Sequence, residues 1–225
     1  MTVALTSAER ALPVVAIVDD DISVRESLES LVRTAGWRPQ VHASAKDFLA
    51  RTPVNCPSCL VLDVQLPGLD GLELQQQLAG RAELPIIFIT GHGDVPMSVR
   101  AMKAGAAEFL TKPFDSEILL EAIRAALERS RGALQEAEVL RETRARYDLL
   151  TAREREVMAL VVTGLLNKQV ASELGISEIT VKAHRGKVMR KMKAASLPDL
   201  VTMSVRLGRP GAGQQVHDRW LSRQS

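Results

Sequence analysis

The sequence predicts an α/β domain built on a doubly wound parallel sheet of five βα units, followed by a smaller all-α domain of four helices with a helix-turn-helix at its centre. Three observations carry that expectation. Between residues 14 and 128, short apolar runs of strand length alternate five times with stretches of helical spacing. From residue 148 onward the strand runs cease, and a helix, a Gly-containing turn and a second helix follow. The charge also divides: residues 1–127 carry 11 Lys/Arg against 16 Asp/Glu, net −5, whereas residues 148–208 carry 10 against 6, net +4, within an overall formal charge of +2. An acidic front half and a basic rear half point to different partners, and nucleic acid is the usual partner of a basic module. At 225 residues the chain can hold two modest domains, each with its own core.

Residues 1–13 read as a flexible tail. Val14 to Val18 form the first buried-strand run and end in Asp19-Asp20-Asp21; Val24, Leu28, Leu31, Val32 and Ala35 then recur three and four apart, with Gly36 as the stop. Gln40-Val41-His42 is a weak strand, and Ser44 to Asp47 resembles a capping box ahead of Phe48 and Leu49. Leu60 to Asp63 is an apolar run that delivers one carboxylate to its far end, before Pro67-Gly68. Leu72, Leu74 and Leu78 mark a helix over 69–79, and Leu84 to Thr90 a fourth strand. Pro96 suits the first turn of a helix that reaches Gly105; Ala107 to Thr111 make the fifth strand, and Leu119, Ala122, Ile123, Ala126 and Leu127 a last helix from Ser116.

In such a sheet the chemistry gathers beyond the carboxyl ends of the strands. Asp19, Asp20, Asp63, Thr90 and Lys112 all fall there, although more than 90 positions separate the first from the last. Three carboxylates at one rim repel one another and call for a cation, for which Mg²⁺ is suited by its preference for oxygen ligands. Lys112 adds positive charge for a transferring phosphoryl group, Asp63 can act as the nucleophile, and Thr90 offers a hydroxyl to the product.

The segments Ile17 to Asp21, Val61 to Val64 with Leu66-Pro67-Gly68, Ile89 to Asp94, and Lys103 to Ala106 through Phe109 to Lys112-Pro113-Phe114 resemble the receiver domain of bacterial two-component response regulators over about residues 13–128. The resemblance implies a (βα)₅ fold and phosphorylation of Asp63 by a sensor histidine kinase. It implies Mg²⁺ held by Asp20, Asp63 and the backbone carbonyl of Gln65 with Asp19 assisting, contact of Lys112 with the phosphoryl group, a cis Lys112-Pro113 bond, and Thr90 with Phe109 as a switch pair. Phe109 as plain core is the competing reading, because aromatic side chains in strands usually just pack. Gln65 and His92 are expected to tune dephosphorylation.

The linker, residues 129–147, is either a helical rod or a solvated tether and is expected to be helical; from Glu128 to Arg146 it carries 5 Arg against 4 Glu. Thr151 to Glu154 form a capping box opening a helix through Val157, Leu160 and Val161 that stops at Gly164. Asn167 is expected to cap a short helix with Val170, Ala171 and Leu174; Gly175 turns the chain, and Ser177 caps the longest helix, to about Lys193. On that helix Val181, His184, Val188 and Met192 share one stripe, while Lys182, Ala183, Gly186, Lys187, Arg190 and Lys193 occupy the opposite side. A basic face of this kind is either a solvated surface or a DNA contact. Residues 208–225, with Trp220, read as a flexible tail.

Leu150 to Val157, Gly164 to Ala171, Leu174 to Ser177, Thr180 to His184 and Lys191-Met192 resemble the LuxR-type helix-turn-helix over about residues 148–207. This implies DNA contacts by Thr180, Lys182, Ala183, Lys187 and Arg190, a phosphate contact by Lys168, and a dimerising fourth helix over 196–207. Gly186 departs from the longer side chain common in the family.

Together the two resemblances point to the branch of nitrogen-fixation and nitrate-response regulators. The expected function is a phosphorylation-dependent transcriptional regulator, activation being the family's commoner outcome, with promoter DNA, RNA polymerase, a sensor histidine kinase and a second copy of the chain as partners. Two rivals differ in class. A hydrolase with a phospho-aspartate intermediate would place a second Asp two positions after the nucleophile, where Gln65 stands; a constitutive DNA-binding protein would carry a receiver reduced to packing. Cys56 and Cys59 could be half of a zinc site or a redox pair, but no second pair completes them, and incidental reduced thiols are expected. No apolar run reaches the ~18 residues of a membrane span and the N-terminus lacks a signal-peptide core, so a soluble cytoplasmic protein is expected.

Overall fold

A computed structural model describes residues 12–91 and 94–208. Residues 1–11 and 209–225 of the expected tails, together with His92 and Trp220, lie outside the described residues. The described chain divides into two compact units, the first ending at Gln135 and the second beginning at Glu136.

The first unit is a five-stranded, all-parallel sheet with strand order 2-1-3-4-5. Its strands are β1 (Val14–Val18), β2 (Arg38–His42), β3 (Ser58–Asp63), β4 (Ile86–Thr90) and β5 (Glu108–Thr111). Between them lie α1 (Ile22–Thr34), α2 (Ala45–Ala50), α3 (Gly71–Gln77) and α4 (Val95–Lys103), and α5 (Ser116–Asp148) follows β5. The central strands β1, β3 and β4 are buried along their whole length, as unbroken apolar runs require when both faces of a sheet are covered. Alternate residues feed two cores: Ala16, Val18, Leu60, Leu62 and Phe88 join Phe48, Leu74 and Ala101 on one side, and Val15, Ile17, Val61, Ile87 and Ile89 join Leu28, Val32, Leu119 and Ile123 on the other. The edge strands β2 and β5 are the more exposed ones.

Local signals in the sequence fix the helix ends. Gly36 takes up φ +84° just past α1, and the side chains of Asp21, Ser44, Asp70 and Asp94 cap α1 to α4 by accepting backbone N–H bonds in the first turn. Pro96 sits in the first turn of α4. Helix α5 runs through residues 129–147 without a break, and Gly132 lies within it with open space around it.

The second unit holds α6 (Ala152–Val161), α7 (Asn167–Leu174), α8 (Glu178–Met192) and α9 (Leu197–Arg206), packed with Tyr147 and Leu150 around Val157, Val161, Val170, Val181, Val188, Met192 and Leu200. Thr151 caps α6 in a full capping box with Glu154, and Ser177 and Ser196 cap α8 and α9. Gly175, at φ +64°, closes α7 in the left-handed conformation that lets the chain turn directly into α8. One expectation is corrected: Asn167 does not cap α7. Leu166 is the cap residue, its N–H donates to Gln169 Oε1 at 2.8 Å, and Asn167 Oδ1 instead accepts from Arg185 at 3.2 Å. A side chain engaged by α8 is not available to its own helix end.

Candidate phosphoryl-acceptor site and nucleic-acid interface

Strand order reverses between β1 and β3, and the crevice beyond their carboxyl ends is where an open α/β sheet places its ligand. Asp19 follows β1 directly, and Asp63 is the last residue of β3. Both are pulled under the protein surface: Asp19 is 0% exposed and Asp63 7%. Lys112, one residue beyond β5, reaches across to donate to Asp19 Oδ2 at 2.7 Å and to Asp63 Oδ2 at 2.8 Å. Its backbone N–H donates to the Thr90 carbonyl at 2.7 Å, so the end of β4 anchors the lysine. Thr90 itself is fully buried at that end.

Carboxylate oxygens of Asp19, Asp20 and Asp63 all lie within 4.8 Å of one another, Asp20 on the solvent side. Burial raises the pKa of Asp19, and the nearby charge of Asp63 raises it further; hydrogen bonds from Lys112 and the Asp21 N–H act against this without cancelling it. For Lys112, burial disfavours the charge, but the hydrogen bonds to Asp19 and Asp63 outweigh it and raise its pKa. A single ammonium shared by two carboxylates, with a third beside them, leaves negative charge to be neutralised. A hard, oxygen-seeking divalent cation suits such a donor set.

The remaining oxygens are oriented by the backbone. Asp63 Oδ1 accepts the Gln65 N–H at 2.9 Å, and Asp19 Oδ1 accepts the Asp21 N–H at 2.9 Å. Phe109, on β5, is half-buried with its ring 6.2 Å from that of Phe88, packed at the edge of the core. The Lys112-Pro113 peptide is cis.

Two residues of this site were not singled out by sequence reasoning. Arg25, near the start of α1, donates from Nη1 to the Asp19 carbonyl at 2.7 Å and so fixes the backbone that carries the carboxylates. A cation placed six residues after Asp19 was the available signal. Gly71, the first residue of α3, brings its backbone against the end of β3: a Cβ there would lie 2.5 Å from the Asp63 carbonyl oxygen and 3.0 Å from Val64 Cα. Its N–H donates to the Val64 carbonyl at 2.9 Å. Only the tertiary approach makes glycine necessary there, and spacing alone gives no sign of it.

The Cys56-Cys59 pair shows no activation. Both are free thiols, Cys59 is fully buried, and burial raises the pKa of each. No helix among the described residues is long and apolar enough to cross a membrane.

In the second unit, Val181, Val188 and Met192 of α8 are buried and His184 half-buried, while Lys182, Ala183, Gly186, Lys187, Arg190 and Lys193 are exposed. Thr180 is half-buried, its N–H donating to the Ser177 hydroxyl at 3.1 Å. Lys168 is exposed on α7. Lys182 Nζ lies 3.4 Å from Glu178 Oε1, a loose pair one helical turn apart that solvent screens. Lys191 Nζ, on α8, donates to Glu154 Oε2 at 2.7 Å and to the Leu149 carbonyl at 3.1 Å, tying α8 to α6 and its lead-in, and Arg153 Nη2 donates to the Leu174 carbonyl at 2.7 Å, joining α6 to the end of α7. These ties could not be read from spacing, since 37 residues separate Glu154 from Lys191.

Comparison with known proteins agrees with the geometry in both units. Residues 15–124 match the family described as response regulator receiver domain, and residues 148–204 match bacterial regulatory proteins of the luxR family. Nodulation protein W of Bradyrhizobium diazoefficiens is 52% identical over 196 residues, covering 87% of this chain and 86% of that protein. The transcriptional regulatory protein FixJ of Azorhizobium caulinodans is 47% identical over 194 residues, covering 85% and 92%. Among solved structures, the response regulator StyR is 46% identical and superposes with a TM-score of 0.76 over 87% of this chain and all of that one. The chain belongs to the transcriptional response regulators, which are not enzymes and which join a receiver domain to a luxR-type DNA-binding domain.

Proposed function

We propose that Asp63 is the phosphorylated residue and that its state governs DNA binding by α8. The observation that carries this is the Lys112 ammonium held between Asp19 and Asp63, with Asp20 completing an acidic cluster at the switch point of the sheet. On this reading the chain comprises a receiver over 14–128, a connecting helix over 129–147 and a LuxR-type output domain over 148–207, between residues 1–13 and 208–225.

Asp19, Asp20 and Asp63, with the Gln65 backbone carbonyl, are the residues to hold Mg²⁺. Bound there, the ion would offset the clustered carboxylates and the charge of an incoming phosphoryl group. One Asp63 oxygen attacks the phosphorus of a phosphohistidine on a sensor kinase. The bond from phosphorus to the imidazole nitrogen breaks, and that nitrogen regains a proton. The Gln65 N–H orients the carboxylate for attack, and Lys112, released from its double pairing, moves its charge onto the new phosphoryl oxygens. The Thr90 hydroxyl then turns towards the phosphoryl group and Phe109 moves inward, which alters the surface of α4 and β5.

In the output domain, Lys182, Ala183 and Lys187 face the bases, with Thr180, Arg190 and Lys168 on or near the phosphates. Two chains pair on promoter DNA in the cytoplasm, through the fourth helix of the domain, and recruit RNA polymerase.

The test is incubation of the full chain with acetyl phosphate and Mg²⁺, read by intact mass and by DNA retardation. The wild type gains one phosphoryl group and binds DNA more tightly, while Asp63→Asn does neither and keeps its fold, because the amide is nearly isosteric. Labelling of Asp63→Asn at the wild-type rate would overturn the assignment.

A further inference from the structure

Ile179 is the second residue of α8 and is 80% exposed. A large aliphatic side chain at that exposure has no role in the core of its own domain. At 100° per residue, Lys182, Ala183, Gly186 and Arg190 fall within about 60° of the line through Ile179, on the face opposite buried Val181 and Val188. The exposed face therefore has a definite composition: an aliphatic head in the first turn, two residues with little or no side chain along the middle, and cations on the flanks and at the far end.

Gly186 adds an independent observation. A Cβ at that position would meet nothing within 4 Å, and its backbone is ordinary helix, so neither packing nor conformation within the chain calls for glycine. Glycine in a helix interior weakens the helix. Its position on the Ile179 face suits close approach of the helix backbone to something outside the chain.

We propose that Ile179 is a specificity-determining residue that packs on a thymine methyl group in the major groove, with Ala183 and Gly186 leaving the helix low enough to bring it there. The occupant is set by what surrounds the patch. Lys182, Lys187 and Arg190 make it cationic at the margins and apolar at the centre, which complements a groove whose walls are phosphate and whose floor offers one apolar group, the thymine methyl. The first residues of a recognition helix are those that reach base edges. This inference rests on the reading of α8 as the DNA-binding helix and deepens it.

The test uses the full phosphorylated chain and a duplex recovered by it from random sequence. Each thymine is replaced in turn by uracil, which removes only the methyl group. One position per half-site is expected to weaken wild-type binding, by about fourfold for the burial of one methyl. Ile179→Ala weakens binding to the parent duplex by a similar factor or more, and then shows no further loss with uracil at that position. Because Ile179 is exposed, the variant folds as the wild type does. Equal uracil sensitivity in wild type and Ile179→Ala at every position, or no sensitivity at all, would overturn the contact. A chain that recovers no duplex would overturn the DNA-binding reading itself, and the contact with it.

Discussion

Replacing Glu154 by Gln removes the charge that ties α6 to α8 while keeping an oxygen that still accepts the Thr151 N–H. Glu154 is 3% exposed, and its carboxyl is held down to about 2, first by the hydrogen bond from Lys191 and then by the Thr151 N–H. The ordinary value is 4.5, so the depression corresponds to about 3 kcal/mol of stability in full. Lys191 remains about a third exposed and Gln keeps the cap, and both reduce what the charge alone contributes. The expected loss for Glu154→Gln at neutral pH is about 2 kcal/mol. Because the folded-state pKa is depressed, this stability is fully present above pH 4.5 and is lost as pH falls towards 2, so wild type and variant should converge in acid. The chain has a single tyrosine, and Tyr147 is buried in the same core, so fluorotyrosine followed by fluorine NMR in urea reports the unfolding of this domain within the full chain. A difference below about 0.5 kcal/mol at pH 7, or one that stays constant down to pH 3, would refute the reasoning. Since Lys191 lies on α8, the variant should also bind DNA more weakly.

Gly71→Ala sets a Cβ against the Asp63 carbonyl and is expected to cost about 1–3 kcal/mol and slow phosphate uptake. Gly132→Ala, in open space within α5, should instead stabilise by up to about 1 kcal/mol; urea unfolding with equal effects from the two would show that the approach at Gly71 does not matter. Ser130 is buried in α5, accepts the Ser58 N–H at 2.9 Å and donates to the Glu83 carbonyl at 2.5 Å. Ser130→Ala should cost about 1–3 kcal/mol and speed hydrogen exchange at the Ser58 amide, and unchanged exchange would remove the bond from the account. Lys182→Ala should lower the slope of log K against log salt by about 0.9 per bound chain if its ammonium displaces a counterion in the groove, and an unaltered slope would take Lys182 out of the DNA interface.

The strands and the reactive rim were legible because their signals are local. An apolar run such as Leu60 to Leu62 can only be buried on both sides, and the polar residue that ends it must then lie at the rim. Four runs, β1, β3, β4 and β5, placed Asp19, Asp63, Thr90 and Lys112 at their ends, and the structure brings Lys112 to both Asp19 and Asp63. Helix caps were legible for Ser177 and Thr151, whose side chains accept the Thr180 and Glu154 N–H groups within their own first turns. Asn167 was misread because Arg185, 18 residues on, engages its side chain. Ser130, Arg25, Gly71 and the Glu154–Lys191 tie escaped for the same reason: each is defined by a distance between segments, and a polar residue inside a helix looks the same whether it faces solvent or another backbone. The sign of charge on α8 was visible, but its meaning was not, because a solvated face and a groove-binding face have the same composition.

The chemistry of the rim also explains why a phosphoryl group there would persist as a signal. Hydrolysis of an acyl phosphate needs a water placed in line and a group to move its proton. Residue 65 is where a phospho-aspartate hydrolase would carry its acid, and the Gln carboxamide that stands there neither gains nor loses a proton near neutral pH. Its N–H is already committed to Asp63 Oδ1, so its backbone supports the carboxylate in the unphosphorylated site. Arg25 binds a carbonyl, and Lys112 is kept charged by two carboxylates, so it is a poor base. On the reading that Asp63 carries the phosphate, the site therefore has what transfer requires, a nucleophile with stabilising cations, while Gln65, Arg25 and Lys112 among the described residues do not supply the base that rapid turnover requires. A long-lived bond at Asp63 gives a conformational equilibrium time to shift, and a slow change of state is what a DNA-binding domain needs if it is to find and hold its sites before the signal decays.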